Sequence, residues 1–279
     1  LFPAQTPLEN NEIDWQKIAL ANAVNKNFTV IAGGPGTGKT YTVTKLLAAL
    51  LMLQVNTYSQ EKDNNNRLTN TSVNAATNTL EIALVAPTGK AAQRLSESII
   101  KAISGFTGLI ADDILAAIPT QAKTIHRLLG VIPNSPNFRH NQNNLLSCDV
   151  LLIDEVSMVD LPMMARIFRA LKPETKIILL GDADQLPSVA VGSVLADIAP
   201  RPHGGYSTEN VEYLAQTCQV NSQHLIETFK EQTTSAGIST RHYDYLSFLK
   251  KNAIIMTKST KTINVFIFQM VKDGKLRHI

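Results

Sequence analysis

The chain has 279 residues, 44% of them hydrophobic and 18% charged, with a net charge of +3; this is length enough for a sizeable core and the balance of a water-soluble globular protein. No stretch reaches the roughly 20 apolar residues of a membrane span, the opening "LFPAQTPLEN" is no secretory leader, and Cys148 and Cys218 have neither metal-ligand nor disulfide-framework spacing, so no membrane and a reducing, cytoplasmic setting are expected. The charge is uneven: residues 241–279 carry eight Lys/Arg against two Asp, and residues 1–240 carry 18 against 21, so nucleic-acid binding would have to come from a local patch.

In chain order, "IDWQKIALANAVNKN" (13–27) reads as an amphipathic helix with Asp14 as N-cap. "FTVIAGGPGTGKTYTVTKLLAALLML" (28–53) is a strand, a glycine-rich loop and a long apolar helix, and the polar, Asn/Thr-rich 54–79 is expected to be a flexible surface insertion. Strand–turn–helix returns in "LEIALVAPTGKAAQRLSESIIKAI" (80–103) and in "DVLLIDEVSMVDLPMMARIFRAL" (149–171). "TKIILLGDADQLPSVAVGSVLADI" (175–198) adds a last clear strand and a short helix, after which 211–230 looks helical. Strands are expected at 28–32, 81–85, 149–153 and 176–180. Their alternation with helices predicts an α/β fold with a mostly parallel sheet in three layers.

"GGPGTGKT" (33–40) fits the phosphate-binding pattern G-x-x-x-x-G-K-[ST] between a strand and a helix. Glycines let backbone N–H groups turn in around phosphate oxygens, and the helix N-terminus adds partial positive charge. Gly33, Gly34, Pro35, Gly36, Thr37 and Gly38 would form the cradle, Lys39 would reach the β- and γ-phosphates, and the Thr40 hydroxyl would ligate Mg²⁺. "VLLIDE" (150–155) is the matching half: Asp154 would hold Mg²⁺ and Glu155 would act as general base toward water. Taken alone, two adjacent acids are equally a solvated strand end. Paired with the cradle they read as a site that hydrolyses a nucleoside triphosphate, with ATP and Mg²⁺ as its cofactors.

In "GDADQLPSV" (181–189) a neutral Gln185 stands just past a buried strand, at the carboxyl edge where open α/β sheets bind ligands. Its amide, with two donors and one acceptor, suits a γ-phosphate or an attacking water. A turn residue capping Asp182 or Asp184 is the plainer alternative. The methionines of "MVDLPMM" (158–164) read as packing.

The series "WQKIALANAVNKNFTVIAGGPGTGKT", "LVAPTGKAAQRL", "TIHRLLG", "LLIDEVSMVD" and "GDADQLPSVAVGSVLADI" resembles the superfamily 1 helicases, and among them the RecD (exodeoxyribonuclease V alpha subunit) family, over residues 10–220. The resemblance implies a RecA-like P-loop NTPase domain and ATP-driven 5′-to-3′ translocation on DNA in recombinational repair. It also implies single-stranded DNA and RecB- and RecC-type subunits as partners. It places Gln16 where these helicases recognise adenine. It places Thr88, Gly89, Lys90 and Arg94 on one motif that contacts single-stranded DNA and Thr124 on another. A helix opening at Thr88–Lys90 agrees, since N–H groups, a hydroxyl and an ammonium can face a phosphate there; a solvated helix face would explain Lys90 and Arg94 as well. His126, beside Leu128 and Leu129, is equally a core residue.

The chain departs from that family after residue 200, where the motifs of a second RecA-like domain are not found. The expected organisation is a lead-in helix with the adenine motif (1–27), a RecA-like ATPase domain (28–200) with its insertion at 54–79, and a linker with a divergent basic tail (201–279). On that organisation the 279 residues would bind nucleotide, hydrolyse it slowly and not unwind DNA alone. Two other readings compete: a non-catalytic remnant that binds nucleotide or DNA, and an unrelated P-loop ATPase or kinase.

Overall fold

Five short runs pair into one parallel sheet in the computed structural model, which describes residues 13–65, 80–182, Leu195 and 206–235. They are β1 (Phe28–Ala32), β2 (Ile82–Ala86), β3 (Lys123–Thr124), β4 (Val150–Ile153) and β5 (Lys176–Gly181), in spatial order β1-β5-β4-β2-β3. Four of the five were legible as apolar, β-branched-rich runs. β3 was not, because two residues cannot carry a period; it exists because Val85 and Ala86 of β2 pair with Lys123 and Thr124.

The helices are α1 (Trp15–Asn25), α2 (Lys39–Asn65), α3 (Gly89–Ser104), α4 (Asp112–Ala117), α5 (Ile125–Leu129), α6 (Leu161–Arg169), α7 (Thr208–Cys218) and α8 (Ser222–Ser235), with a 3₁₀ turn at Val156–Met158. Asp14 caps α1 as expected, its Oδ1 accepting from the amides of Gln16 and Lys17 at 3.0 Å each. Asp160 caps α6 by accepting from Met163 N at 2.7 Å. α3 buries Ala91, Ala92, Leu95, Ile99 and Ala102, steps of three and four that lay one stripe on the core.

The sheet divides two cores, which makes the fold three-layered. On one face Leu84, Val150, Leu152, Ile178 and Leu180 meet residues of α1, α2, α3 and α4; on the other, Val85, Leu151, Ile153, Ile177 and Leu179 meet α5 and α6. Alternate residues of β4 thus enter opposite cores, and the strand reads as an unbroken apolar run because both of its faces are covered. Met164 is fully buried in the second core and Met163 packs against it, as a packing role requires, but Met158 is exposed on the 3₁₀ turn and does not share that role. The expected fold class, α/β with a parallel three-layered sheet, is the observed one.

Two boundaries differ from expectation. α2 runs 27 residues to Asn65, so the polar segment from 54 begins as helix: once nucleated, a helix extends through residues of modest propensity without needing an apolar stripe. The rest of that insertion, 66–79, lies outside the described residues, as do the short helix expected before 198, apart from Leu195, and the basic tail 241–279. The helical region 211–230 is two helices, broken where Gln219 takes a left-handed conformation with φ 57°. α7 packs along α1, so residues 206–226 contribute to the same body as the sheet.

Candidate functional site

The glycine-rich loop leaves β1 at Ala32 and enters α2 at Lys39. Gly36 and Gly38 hold positive φ of 75° and 79°, which turn the loop as only glycine does without strain. The Gly33 amide donates to Gly181 O at 3.1 Å, tying the start of the loop to the end of β5. Lys39 Nζ donates to the carbonyls of Gly33 and, at 2.8 Å, of Gly34, while Thr37 Oγ1 donates to Gly34 O at 2.9 Å. Pro35, Gly36 and Thr37 are exposed at the tip; Lys39 and Thr40 are half-buried at the head of α2.

Gln16 reaches this loop from α1. Its Nε2 donates to Thr37 O at 3.4 Å, and a Cβ on Gly38 would sit 2.6 Å from the same nitrogen. The glutamine and the glycine therefore share one space, which no pattern in the sequence announces.

Asp154 and Glu155 emerge from β4. The Asp154 amide still donates to Val85 O at 2.9 Å, so its carboxylate is held at the strand end, half-buried. Burial pushes the Asp154 carboxyl up from its ordinary value; the amide of Glu155, donating to Asp154 Oδ1 at 2.9 Å, opposes this, the Glu155 charge reinforces it and the Lys39 ammonium opposes it. Glu155 itself has φ 54° and ψ 43°, a left-handed backbone that disfavours a residue with a Cβ and clusters at functional sites. β5 lies between β1 and β4, so the cradle and the carboxylate pair flank the exit of one strand. Gln185 belongs to the segment leaving that exit, and lies outside the described residues.

The second candidate set sits further along the same carboxyl edge, at the exits of β2 and β3. Ala86 pairs with Thr124, and Thr88 and Thr124 each cap the helix that follows: Thr88 Oγ1 accepts from Ala91 N at 3.2 Å and Thr124 Oγ1 from Arg127 N at 3.3 Å. Lys90 and Arg94 are exposed on α3, beside an equally exposed Gly89. His126 is exposed and meets Phe138 edge-on at 5.8 Å between ring centroids, so the core alternative for it does not hold. β4 is the neighbour of β2, which sets the two candidate sets next to one another on one sheet.

The residues present fit a nucleoside triphosphate with a divalent cation. The loop presents turned backbone, an ammonium and a helix N-terminus, and the Thr40 hydroxyl and Asp154 carboxylate are oxygens of the kind a hard cation takes. Among the described residues no group of three or more His, Cys, Asp or Glu could hold a metal by itself; Mg²⁺ bound by one or two protein oxygens and phosphates needs none. The two cysteines are free and buried, and no described helix is long and apolar enough to cross a membrane.

A family model described as "AAA domain" matches residues 16–191. RecBCD enzyme subunit RecD of Haemophilus influenzae is 45% identical over 214 residues, covering 76% of this chain and 30% of that protein. The subunit of the same name from Mycolicibacterium smegmatis is 43% identical over 184 residues, 66% of this chain and 29% of that one. The ATP-dependent RecD2 DNA helicase of Deinococcus radiodurans is 35% identical over 184 residues, 66% and 19%. Of solved structures, Bacteroides Pif1 in complex with ADP-AlF4 is similar at 19% identity and a TM-score of 0.35, over 68% of this chain and 37% of that chain; the likeness is remote. The chain spans about a third of the length of these two RecD relatives.

Proposed function

The chain belongs to the AAA domain family and is RecD-like within it, and on that premise we propose that it is the nucleotide-binding motor domain of an ATP-driven DNA helicase subunit working 5′-to-3′ in a RecBCD-type complex. The observation that carries the reading is the arrangement of the cradle and the Asp154–Glu155 pair about the exit of β5.

In this reading the amides of Gly34 and Gly36–Lys39 and the Lys39 ammonium bind the phosphates, and the amide of Gln16 reads the adenine edge. Thr40 and Asp154 hold Mg²⁺, which when bound neutralises charge on the β- and γ-phosphates. Glu155, set at the strand end by its left-handed backbone, takes a proton from the attacking water. Gln185 senses the γ-phosphate or that water. Thr88, Gly89, Lys90, Arg94 and Thr124 hold phosphates of a single strand; Thr88 and Thr124 keep a hydroxyl proton to donate while their oxygens cap α3 and α5. RecB- and RecC-type subunits are its partners and the cytoplasm its setting.

The test is ATP turnover by the purified chain, alone and with RecB- and RecC-type partners, each with and without single-stranded DNA. DNA-stimulated turnover that Lys39→Ala abolishes supports the proposal. Turnover indifferent to DNA would make the chain a P-loop enzyme of another kind, and nucleotide binding without turnover in every mixture would make it a non-catalytic binding module.

A further inference from the structure

α1 packs on two clusters at once, one along each of two faces. Ala23, fully buried, lies in the main core with Ala19, Leu20 and Val24 against it. Ile18 and Ala21, with Ile13 just ahead of the helix, pack instead with Val211, Leu214 and Cys218 of α7 and Leu225 of α8. Gln16 stands in the first turn of α1, next to Lys17.

Polar contacts between α1 and α7 run in antiparallel order. Lys17 Nζ donates to Cys218 O at 3.0 Å, Tyr213 Oη to Ala21 O at 3.3 Å, and Asn210 Nδ2 to Asn22 Oδ1 at 2.9 Å. The Lys17 contact is the strong one, an ammonium on a carbonyl at the C-terminus of α7, where orphan carbonyls and the helix dipole both favour a cation. It also falls on the residue next to Gln16. The Gln16 amide meets Thr37 O at 3.4 Å, near the limit of a hydrogen bond, so a small displacement of the first turn of α1 would lose it.

We infer that α7 is a built part of the base-reading side of the nucleotide site: through Lys17, Ala21 and Asn22 it holds α1, and so Gln16, against the phosphate loop. Lys17 and Tyr213 are then positioning residues for base selectivity, although α7 follows β5 in the chain. The inference rests on the proposed role of Gln16 in reading adenine. It predicts a selective effect, because the cradle from Gly33 to Lys39 is held by β1, α2 and Gly181 and not by α7.

The experiment is calorimetric titration of the 279-residue chain with ATP, GTP and tripolyphosphate, which has phosphates but no base. The variants are Lys17→Met, which keeps the methylene stem, Tyr213→Phe, which removes one hydroxyl, and Gln16→Ala. We expect Lys17→Met to reduce the preference for ATP over GTP by about three- to tenfold, in the range seen for residues that act on a ligand without touching it. Tyr213→Phe should reduce it less, and tripolyphosphate affinity should not change in either. If Gln16→Ala erases the preference while Lys17→Met and Tyr213→Phe keep it, Gln16 reads the base without α7 and the inference is overturned alone. If Gln16→Ala leaves the preference intact, the reading of Gln16 fails and this inference with it. Tripolyphosphate affinity falling in parallel with ATP would show α7 acting on the whole fold, which also overturns it. Should Lys17→Met not fold, Tyr213→Phe decides.

Discussion

Lys39 and Asp154 stand 115 residues apart in the chain, yet the Lys39 ammonium lowers the Asp154 carboxyl against the burial that raises it. The two groups flank the exit of β5, one from the head of α2 and the other from the end of β4. The proposed site of the triphosphate and its metal lies between this cation and this carboxylate.

Lys39→Ala should weaken ATP binding at least tenfold, about 1.4 kcal/mol, measured by calorimetry. The loop should persist, because Gly33 remains tied to Gly181 and Thr37 to Gly34. Unaltered ATP affinity would remove the cradle from the nucleotide site.

Glu155→Gln should keep ATP binding and lose hydrolysis by about 10²- to 10⁴-fold in the DNA-stimulated enzyme, the range for a missing general base. Glu155→Gly should lose hydrolysis too, but with a melting temperature equal to or above that of the parent, since glycine adopts φ 54° freely; relief of about 1 kcal/mol is the scale involved. A clearly destabilised glycine variant would mean that the Glu155 side chain is held by contacts that outweigh its backbone.

Lys90→Ala should weaken single-stranded DNA binding and lower the log–log salt slope by about 0.7, one phosphate contact on a single strand. Arg94→Ala should do the same independently, both side chains being exposed on α3. A fluorescence anisotropy titration with unchanged affinity and slope would assign them to a solvated helix face.

Lys176 begins β5 and closes the end of α1: its Nζ donates to the carbonyls of Ala23 at 3.0 Å, Val24 at 3.2 Å and Lys26. Burial pulls this ammonium down to about 8, whereas an unfolded lysine titrates near 10.4. Between those values the unfolded chain holds a proton that the folded chain has released, so Lys176 makes stability rise with pH across that window. Denaturation of Lys176→Met against the parent should show the difference shifting in the parent's favour from pH 8 to 10, and at pH 7 the variant should be less stable by about 1–3 kcal/mol, with carbonyls left without a donor. A difference that does not change with pH would mean that Lys176 titrates as an ordinary lysine.

Much of this molecule is written in short stretches. "GGPGTGKT" and "VLLIDE" could be read at sight because their rules are local: glycine for backbone of positive φ, an apolar run for a strand covered on both faces, a carboxylate at its end. The same holds for Asp14, whose capping role needs only the next three residues. Other features have no local signature. That β5 separates β1 from β4, that Lys123 and Thr124 form a strand, and that α7 grips α1 all depend on partners more than twenty residues away, where the identity of one side says nothing about which other side it meets. Glu155 shows both at once. Its position after an apolar strand marked it as a candidate base, but its left-handed backbone comes from the packed turn beneath it, where Val156 and Ser157 are buried. The sequence determined the elements and the chemistry they carry, because propensity and periodicity act over a few residues; which elements became neighbours was left to the packing of two cores on one sheet, because burial is a sum over the whole chain.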